Sequence, residues 1–225
     1  MSSITPKELL EVRQYVYSFL STTFRCPPKA EQLEIILQEG IFLDFPLELE
    51  EDNYTQALQT LEIWAKEQSQ ADIKDVCTSL NRDYTQLFVG PGHLPAPPWE
   101  SVYRSEEKLT FGEHTLAVRK WYARHGLEFV NKNAEPDDHF GLELEFLAYL
   151  INNQYQALED GEVQKASELA QEQLAFLEEH LLQWSNAFTQ DVINNAQTKY
   201  YQGLAQLAQS FLEWDHGHLK EEVNS

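Results

Sequence analysis

Positive charge is scarce in this chain: 16 Lys and Arg stand against 37 Asp and Glu in 225 residues, a formal net charge of −21. A protein that grips a nucleic-acid duplex must neutralise phosphates with clustered Lys and Arg, so nucleic acid is excluded as a partner. Attachment to anionic lipid through basic residues is disfavoured on the same ground. Long apolar runs are missing as well. The longest is Phe146–Ile151, six residues, against the roughly 20 that span a bilayer; no integral membrane segment is expected. Lys7, Glu8, Glu11 and Arg13 interrupt the first twenty residues, where a secretory signal would carry a continuous apolar core. The expected location is the cytoplasm.

Cysteine is nearly absent. Cys26 and Cys77 form no metal-type spacing and no disulfide framework, and are expected to be reduced thiols in a helical core. There is no Gly-x-x-x-x-Gly-Lys-Ser/Thr, and Gly90-Pro91-Gly92 lacks the third glycine of a dinucleotide fingerprint. No His-Glu-x-x-His occurs. A helical di-iron site needs two Glu-x-x-His pairs, and one is found, Glu213-Trp214-Asp215-His216. No metal site and no catalytic constellation are expected.

What the chain has in quantity is helical periodicity, with 42% hydrophobic and 12% aromatic residues to build a core. Thr5-Pro6-Lys7-Glu8 reads as a capping box with proline in the first turn. Leu9, Val12, Val16, Phe19 and Leu20 then recur at three- and four-residue steps. Further stripes run through Leu33–Leu37, Tyr54–Trp64 and Ile73–Phe88. Between Val89 and Trp99 the pattern breaks: Pro91, Pro95, Pro97 and Pro98, four of the nine prolines, sit there with Gly90 and Gly92. That density forbids a helix and predicts a stiff, extended loop. Helix resumes over Glu113–His125 and stops at Gly126. Another is expected to start at Pro136-Asp137-Asp138, and more follow through Leu169–Leu182 and Tyr200–Leu212, with a frayed tail from Asp215. The fold class is all-α: one globular multi-helix domain over residues 1–225 with a proline-rich loop between helices. Within it, an N-terminal segment (residues 1–126), a hinge (127–136), a C-terminal segment (137–215) and a tail (216–225) can be distinguished.

Three segments stand out. In Glu135-Pro136-Asp137-Asp138-His139, with Glu143 one turn on, the acids could complement a helix macrodipole or cap its first turn. Alternatively, Asp138 and His139 form a polar pair beside a cleft that receives a cationic ligand. Pro97-Pro98-Trp99-Glu100-Ser101-Val102-Tyr103 is either a surface crossover or a rigid recognition loop. Arg82–Phe88 reads mostly as core, with Asp83 in need of a partner for its charge.

In this order the segments resemble the TorD/DmsD family of redox-enzyme maturation chaperones, its DmsD branch above all. The residues concerned are Tyr84-x-x-Leu87-Phe88-Val89-Gly90-Pro91, Leu94–Tyr103, Leu109-Thr110-Phe111-Gly112, Glu135–Gly141 and His180–Ser185. Tyr84 and Gly92 stand where such relatives tend to carry tryptophan. The resemblance implies an all-helical chaperone, not an enzyme. It would bind the twin-arginine signal peptide of a molybdenum-cofactor oxidoreductase of the dimethyl-sulfoxide-reductase type. It would hold the precursor until cofactor insertion, then release it to the twin-arginine translocase. It places signal-peptide binding at Tyr84, Leu87, Phe88, Pro98, Trp99, Ser101, Tyr103, Gly112, Asp138 and His139. It implies no obligate cofactor, with GTP or GDP a ligand proposed for some members, and a monomer or a dimer formed by exchange of helical halves. Alternative readings are a trimethylamine-N-oxide reductase client, a guanine-nucleotide-binding cofactor-insertion factor using His139 as acid–base, or an inert acidic scaffold.

Overall fold

The computed structural model describes residues 4–107, 110–128 and 135–224. Leu109 and most of the expected hinge, residues 129–134, lie outside the described residues. Among the described residues all regular structure is helical, apart from an isolated antiparallel bridge between Trp99 and His139. The helices are α1 (Pro6–Arg25), α2 (Ala30–Glu39), α3 (Asp52–Gln68), α4 (Ile73–Tyr84), α5 (Glu100–Arg104), α6 (Glu113–Arg124), α7 (Phe140–Glu159), α8 (Val163–Phe176), α9 (Leu182–Asn195) and α10 (Lys199–Val223). Two π-helical turns, Thr85–Val89 and Leu177–Leu181, follow α4 and α8 directly.

Local chemistry accounts for several boundaries. The Thr5 N–H donates to Glu8 Oε2 at 2.7 Å and the Glu8 N–H to Thr5 Oγ1 at 3.3 Å, the reciprocal bonds of a capping box. Asp72 caps α4 by accepting from the Lys74 N–H at 2.8 Å. Gly126 follows α6 with φ +70°, a left-handed conformation that costs glycine nothing. The proline-rich stretch carries no helix up to Trp99.

The chain divides into two compact units, neither continuous in sequence. The first comprises Met1–Arg25, Trp99–Ser185 and Glu213–Ser225; the second comprises Cys26–Pro98 and Asn186–Leu212. In the first unit α1 packs along α7, burying Val16, Leu20 and Phe24 beside Phe140, Leu144 and Leu147. The approach is close because residue 141 has no side chain. A Cβ there would lie 2.4 Å from Arg25 Cγ and 2.9 Å from the Ser21 carbonyl oxygen, while Ser21 Oγ donates to the Gly141 carbonyl at 2.7 Å.

The same unit buries an ion pair. Arg13 donates through Nε to Asp215 Oδ1 at 2.5 Å and through Nη2 to Oδ2 at 3.0 Å; Tyr17 adds its hydroxyl to Oδ2 at 2.7 Å. This corrects the frayed tail. Asp215 is buried, and α10 runs on to Val223 because α1 supplies a partner that no local pattern reveals. α7 likewise begins at Phe140, not at Pro136, since His139 caps it and both preceding aspartates are engaged elsewhere. Cys26 is exposed and Cys77 partly so; neither sits in the core.

In the second unit Trp64 packs on Tyr200 at 4.7 Å between ring centroids, and Phe88 lies among Tyr84, Phe188 and Tyr201. Asp83 has its partner: its carboxylate accepts from the Gln197 N–H, from the Thr198 N–H at 2.8 Å and from Thr198 Oγ1 at 2.6 Å. A buried carboxylate thereby satisfies orphan donors at the start of α10.

Gly141→Ala tests the close approach of α1 and α7. The Arg25 side chain can swing aside, but the Ser21 carbonyl is backbone, so a loss of roughly 1–3 kcal/mol is expected. Urea unfolding should show a lower midpoint with an unchanged slope.

Candidate functional site

In the first unit the motif residues converge on one carboxylate. Asp138 is 0% exposed. Its Oδ2 accepts from the Ser101 N–H at 2.7 Å, its Oδ1 from Thr115 Oγ1 at 2.8 Å, and its carbonyl from the Glu100 N–H at 3.0 Å. One side chain thus caps α5 and ties in the first turn of α6. Its neighbour Asp137 accepts from Arg119 on α6, Nε at 3.0 Å and Nη2 at 2.6 Å. Thr115 and Arg119 have no signature in the sequence; the clue was an acidic pair that had to find donors once buried.

His139 sits next in line. Its Nδ1 accepts from the Gly141 N–H at 3.0 Å, which makes it the N-cap of α7. That bond requires a lone pair on Nδ1, so the ring is neutral with its proton on Nε2. Burial, with a smaller contribution from the Arg25 charge, pulls its pKa down to about 3. A ring spent on a cap has no lone pair to offer as a general base, so the geometry gives the acid–base alternative no support.

Trp99 pairs by backbone with His139, and its indole lies edge-on to the imidazole at 6.3 Å. Its Nε1 donates to Glu135 Oε1 at 2.7 Å. Burial raises the Glu135 pKa against the lowering effects of that bond and of Arg25. Trp99 and Tyr103 are partly exposed, whereas Ser101 is buried and spends its N–H on Asp138. Tyr103 leans on Trp184 at 5.5 Å. Gly112 precedes α6, and a Cβ there would meet nothing within 4 Å. Phe111 before it holds φ +63° with 49% of its surface exposed, an outlier for a bulky residue.

Beneath these residues lies a buried acidic layer that the motifs did not announce as a unit. Glu100 accepts from Arg104 and faces His180 Nδ1 at 2.9 Å. Glu143 accepts from Trp184 Nε1 at 3.3 Å. Burial first, then the Glu100 and Asp138 carboxylates, pushes Glu143 well above the usual carboxylate range.

Four predicted residues belong to the second unit. Tyr84, Leu87, Phe88 and Pro98 are all buried there. The π-turn after α4 directs Leu87 and Phe88 inward together, and the Leu87 carbonyl accepts from the Ala96 N–H at 3.4 Å, tying the proline loop back. The exposed residues of the same turn are Thr85, Gln86 and Val89, next to Arg82. Among the described residues, no group of three or more His, Cys, Asp or Glu could hold a metal ion, and no helix is long and apolar enough to cross a membrane.

The neutral imidazole makes stability depend on pH. The unfolded chain protonates His139 near 6.5, the folded one only near 3. The stabilising contribution is therefore complete above 6.5 and is lost as pH falls toward 3. Asn at 139 keeps a capping oxygen without titrating. Between about pH 7.5 and pH 5 the parent chain should lose roughly 2 kcal/mol more than His139→Asn. Urea unfolding at both pH values measures this, and equal losses would refute the neutral ring.

Comparison with known proteins bears on these motifs. The family described as nitrate reductase delta subunit matches residues 48–190, more than half of the chain. The Tat proofreading chaperone DmsD of Salmonella paratyphi A is 38% identical over 137 residues, 60% of each chain. The chaperone protein TorD of Vibrio vulnificus is 28% identical over 148 residues, 66% of this chain and 67% of its own. A solved structure of a candidate redox enzyme maturation protein from Archaeoglobus fulgidus is 23% identical, with a TM-score of 0.49, covering 90% of this chain and 92% of that one. The chain spans about 60% of the length of the DmsD relative it matches. The chain belongs to the nitrate reductase delta subunit family, in its TorD/DmsD branch and nearer in sequence to DmsD than to the TorD relative.

Proposed function

We propose that the chain is a cytoplasmic proofreading chaperone. It binds the twin-arginine signal peptide of a molybdenum-cofactor oxidoreductase, of the dimethyl-sulfoxide-reductase type, and retains the precursor until the cofactor is in place. The observation that carries this reading is the contact of Trp99 with Glu135, a partly exposed indole whose Nε1 lies 2.7 Å from a carboxylate. A twin-arginine signal joins a basic segment to an apolar one, so its receptor needs aromatic surface with acid beside it. The relatives named Tat proofreading chaperone support the same reading.

The roles divide by burial. Trp99 and Tyr103 offer surface to the apolar segment; Asp138, His139 and Ser101 hold that surface in place. Tyr84, Leu87, Phe88 and Pro98 do the corresponding work in the second unit, as core beneath an exposed turn. The net charge of −21 draws a basic peptide in over a Debye length of about 8 Å at physiological salt, which raises the encounter rate without supplying specificity. Ordering an unfolded signal on contact costs several kcal/mol, so binding is reversible. A chaperone that hands its client on requires that.

Calorimetric titration with a synthetic twin-arginine signal should saturate at one peptide per chain. Trp99→Ala should weaken binding about 30-fold, the roughly 2 kcal/mol of a buried aromatic anchor, with Trp99→Phe in between. Absence of saturable binding by the parent chain would overturn the assignment.

A further inference from the structure

Within the first unit, a cavity of about 700 Å³ opens where α1, the end of α6 and α7 meet. That volume is within the roughly 300–1,000 Å³ of ligand pockets. Tyr122, Phe146 and Tyr149 line it, with Glu145, Glu128 and Arg25. Asp138, the acid to which a client's guanidinium would first be assigned, is fully buried with a donor on each oxygen. Reaching it would mean displacing Ser101 or Thr115 and dismantling the caps of the site. The guanidinium must be received elsewhere.

This cavity already seats one. Arg25 Nη1 donates to Glu145 Oε2 at 2.5 Å, and the aliphatic stem of Arg25 lies across the bare backbone of Gly141. The two side chains are 37% and 57% exposed, and an ion pair so open to water contributes at most about 1 kcal/mol. Exchanging its cation for another guanidinium therefore costs little. The aromatic walls suit the flat face of a guanidinium, which a lysine ammonium does not reproduce. The Arg25 charge also bears on His139 and Glu135, the residues that flank Trp99.

We propose that this cavity receives an arginine side chain of a basic peptide, Glu145 releasing Arg25 to pair with the incoming guanidinium while Tyr149 and Phe146 cover its flat face. Arg25 is then an internal occupant that the client displaces. The proposal rests on the signal-peptide reading above and names the region of the site that reads arginine.

The test titrates the full-length chain and three variants with the twin-arginine peptide and with its double-lysine counterpart. The parent chain should prefer the arginine peptide at least fivefold. Glu145→Gln should weaken the arginine peptide about tenfold and bring the two peptides within twofold of each other. Arg25→Gln, which vacates Glu145, should tighten the arginine peptide about threefold. Glu168→Gln removes the same charge from the exposed face of α8 and should stay within twofold of the parent. The proposal is overturned if Glu145→Gln keeps both the affinity and the arginine preference, or if Glu168→Gln weakens binding as much. Either result leaves the signal-peptide reading standing. If the parent chain binds neither peptide, it is that reading which falls.

Discussion

The candidate site depends on satisfying one buried carboxylate. Asp138 has no contact with water, so every acceptor position it leaves empty would cost the full desolvation of a charged group. The first unit meets this demand from two elements, a backbone amide of α5 and a hydroxyl of α6, while the aspartate's own carbonyl takes a second amide of α5. The result is more than a satisfied acid. Residues far apart in sequence are held at fixed positions, and Trp99 is held against His139 by backbone pairing. The indole is rigid because the carboxylate behind it cannot be left alone.

The same logic operates separately in the second unit, where Asp83 takes donors from Gln197 and Thr198. Both aspartates sit inside motifs that look like binding sequences, and in both cases the observed contacts are architectural. The surface available to a ligand is displaced by a residue or two from the motif's most distinctive members: Thr85, Gln86 and Val89 where Leu87 and Phe88 are core, and Trp99 and Tyr103 where Ser101 is buried. Motifs of this kind mark the framework of a site as much as its contact face.

Much of the fold was legible because helices announce themselves through short-range rules. The Thr5–Glu8 box, the apolar stripe of α1, the stop at Gly126 and the helix-free proline stretch all depend on residues within a turn of one another. The failures are equally specific. The helix expected from Pro136 begins at Phe140, because Asp137 and Asp138 serve Arg119, Ser101 and Thr115 instead of the local backbone. The tail expected to fray from Asp215 continues as α10, because Arg13 and Tyr17, some two hundred residues away, bury that aspartate. The thiols expected in the core lie at or near the surface. The first two errors concern aspartates whose partners lie outside their own element.

Composition and spacing by themselves determined that the chain is acidic, helical and without a membrane-spanning run, and which segments carry the resemblance to a chaperone family. These properties are sums over residues or patterns within a few turns, and they hold whatever the chain packs against. The tertiary structure alone decided that Asp138 is a buried strut, that His139 is a neutral cap, and that the exposed carboxylate beside an aromatic cavity is Glu145, with Arg25 already across it. A charged group's role depends on how many donors reach it and how much water remains. Both are set by elements that meet only in the folded chain.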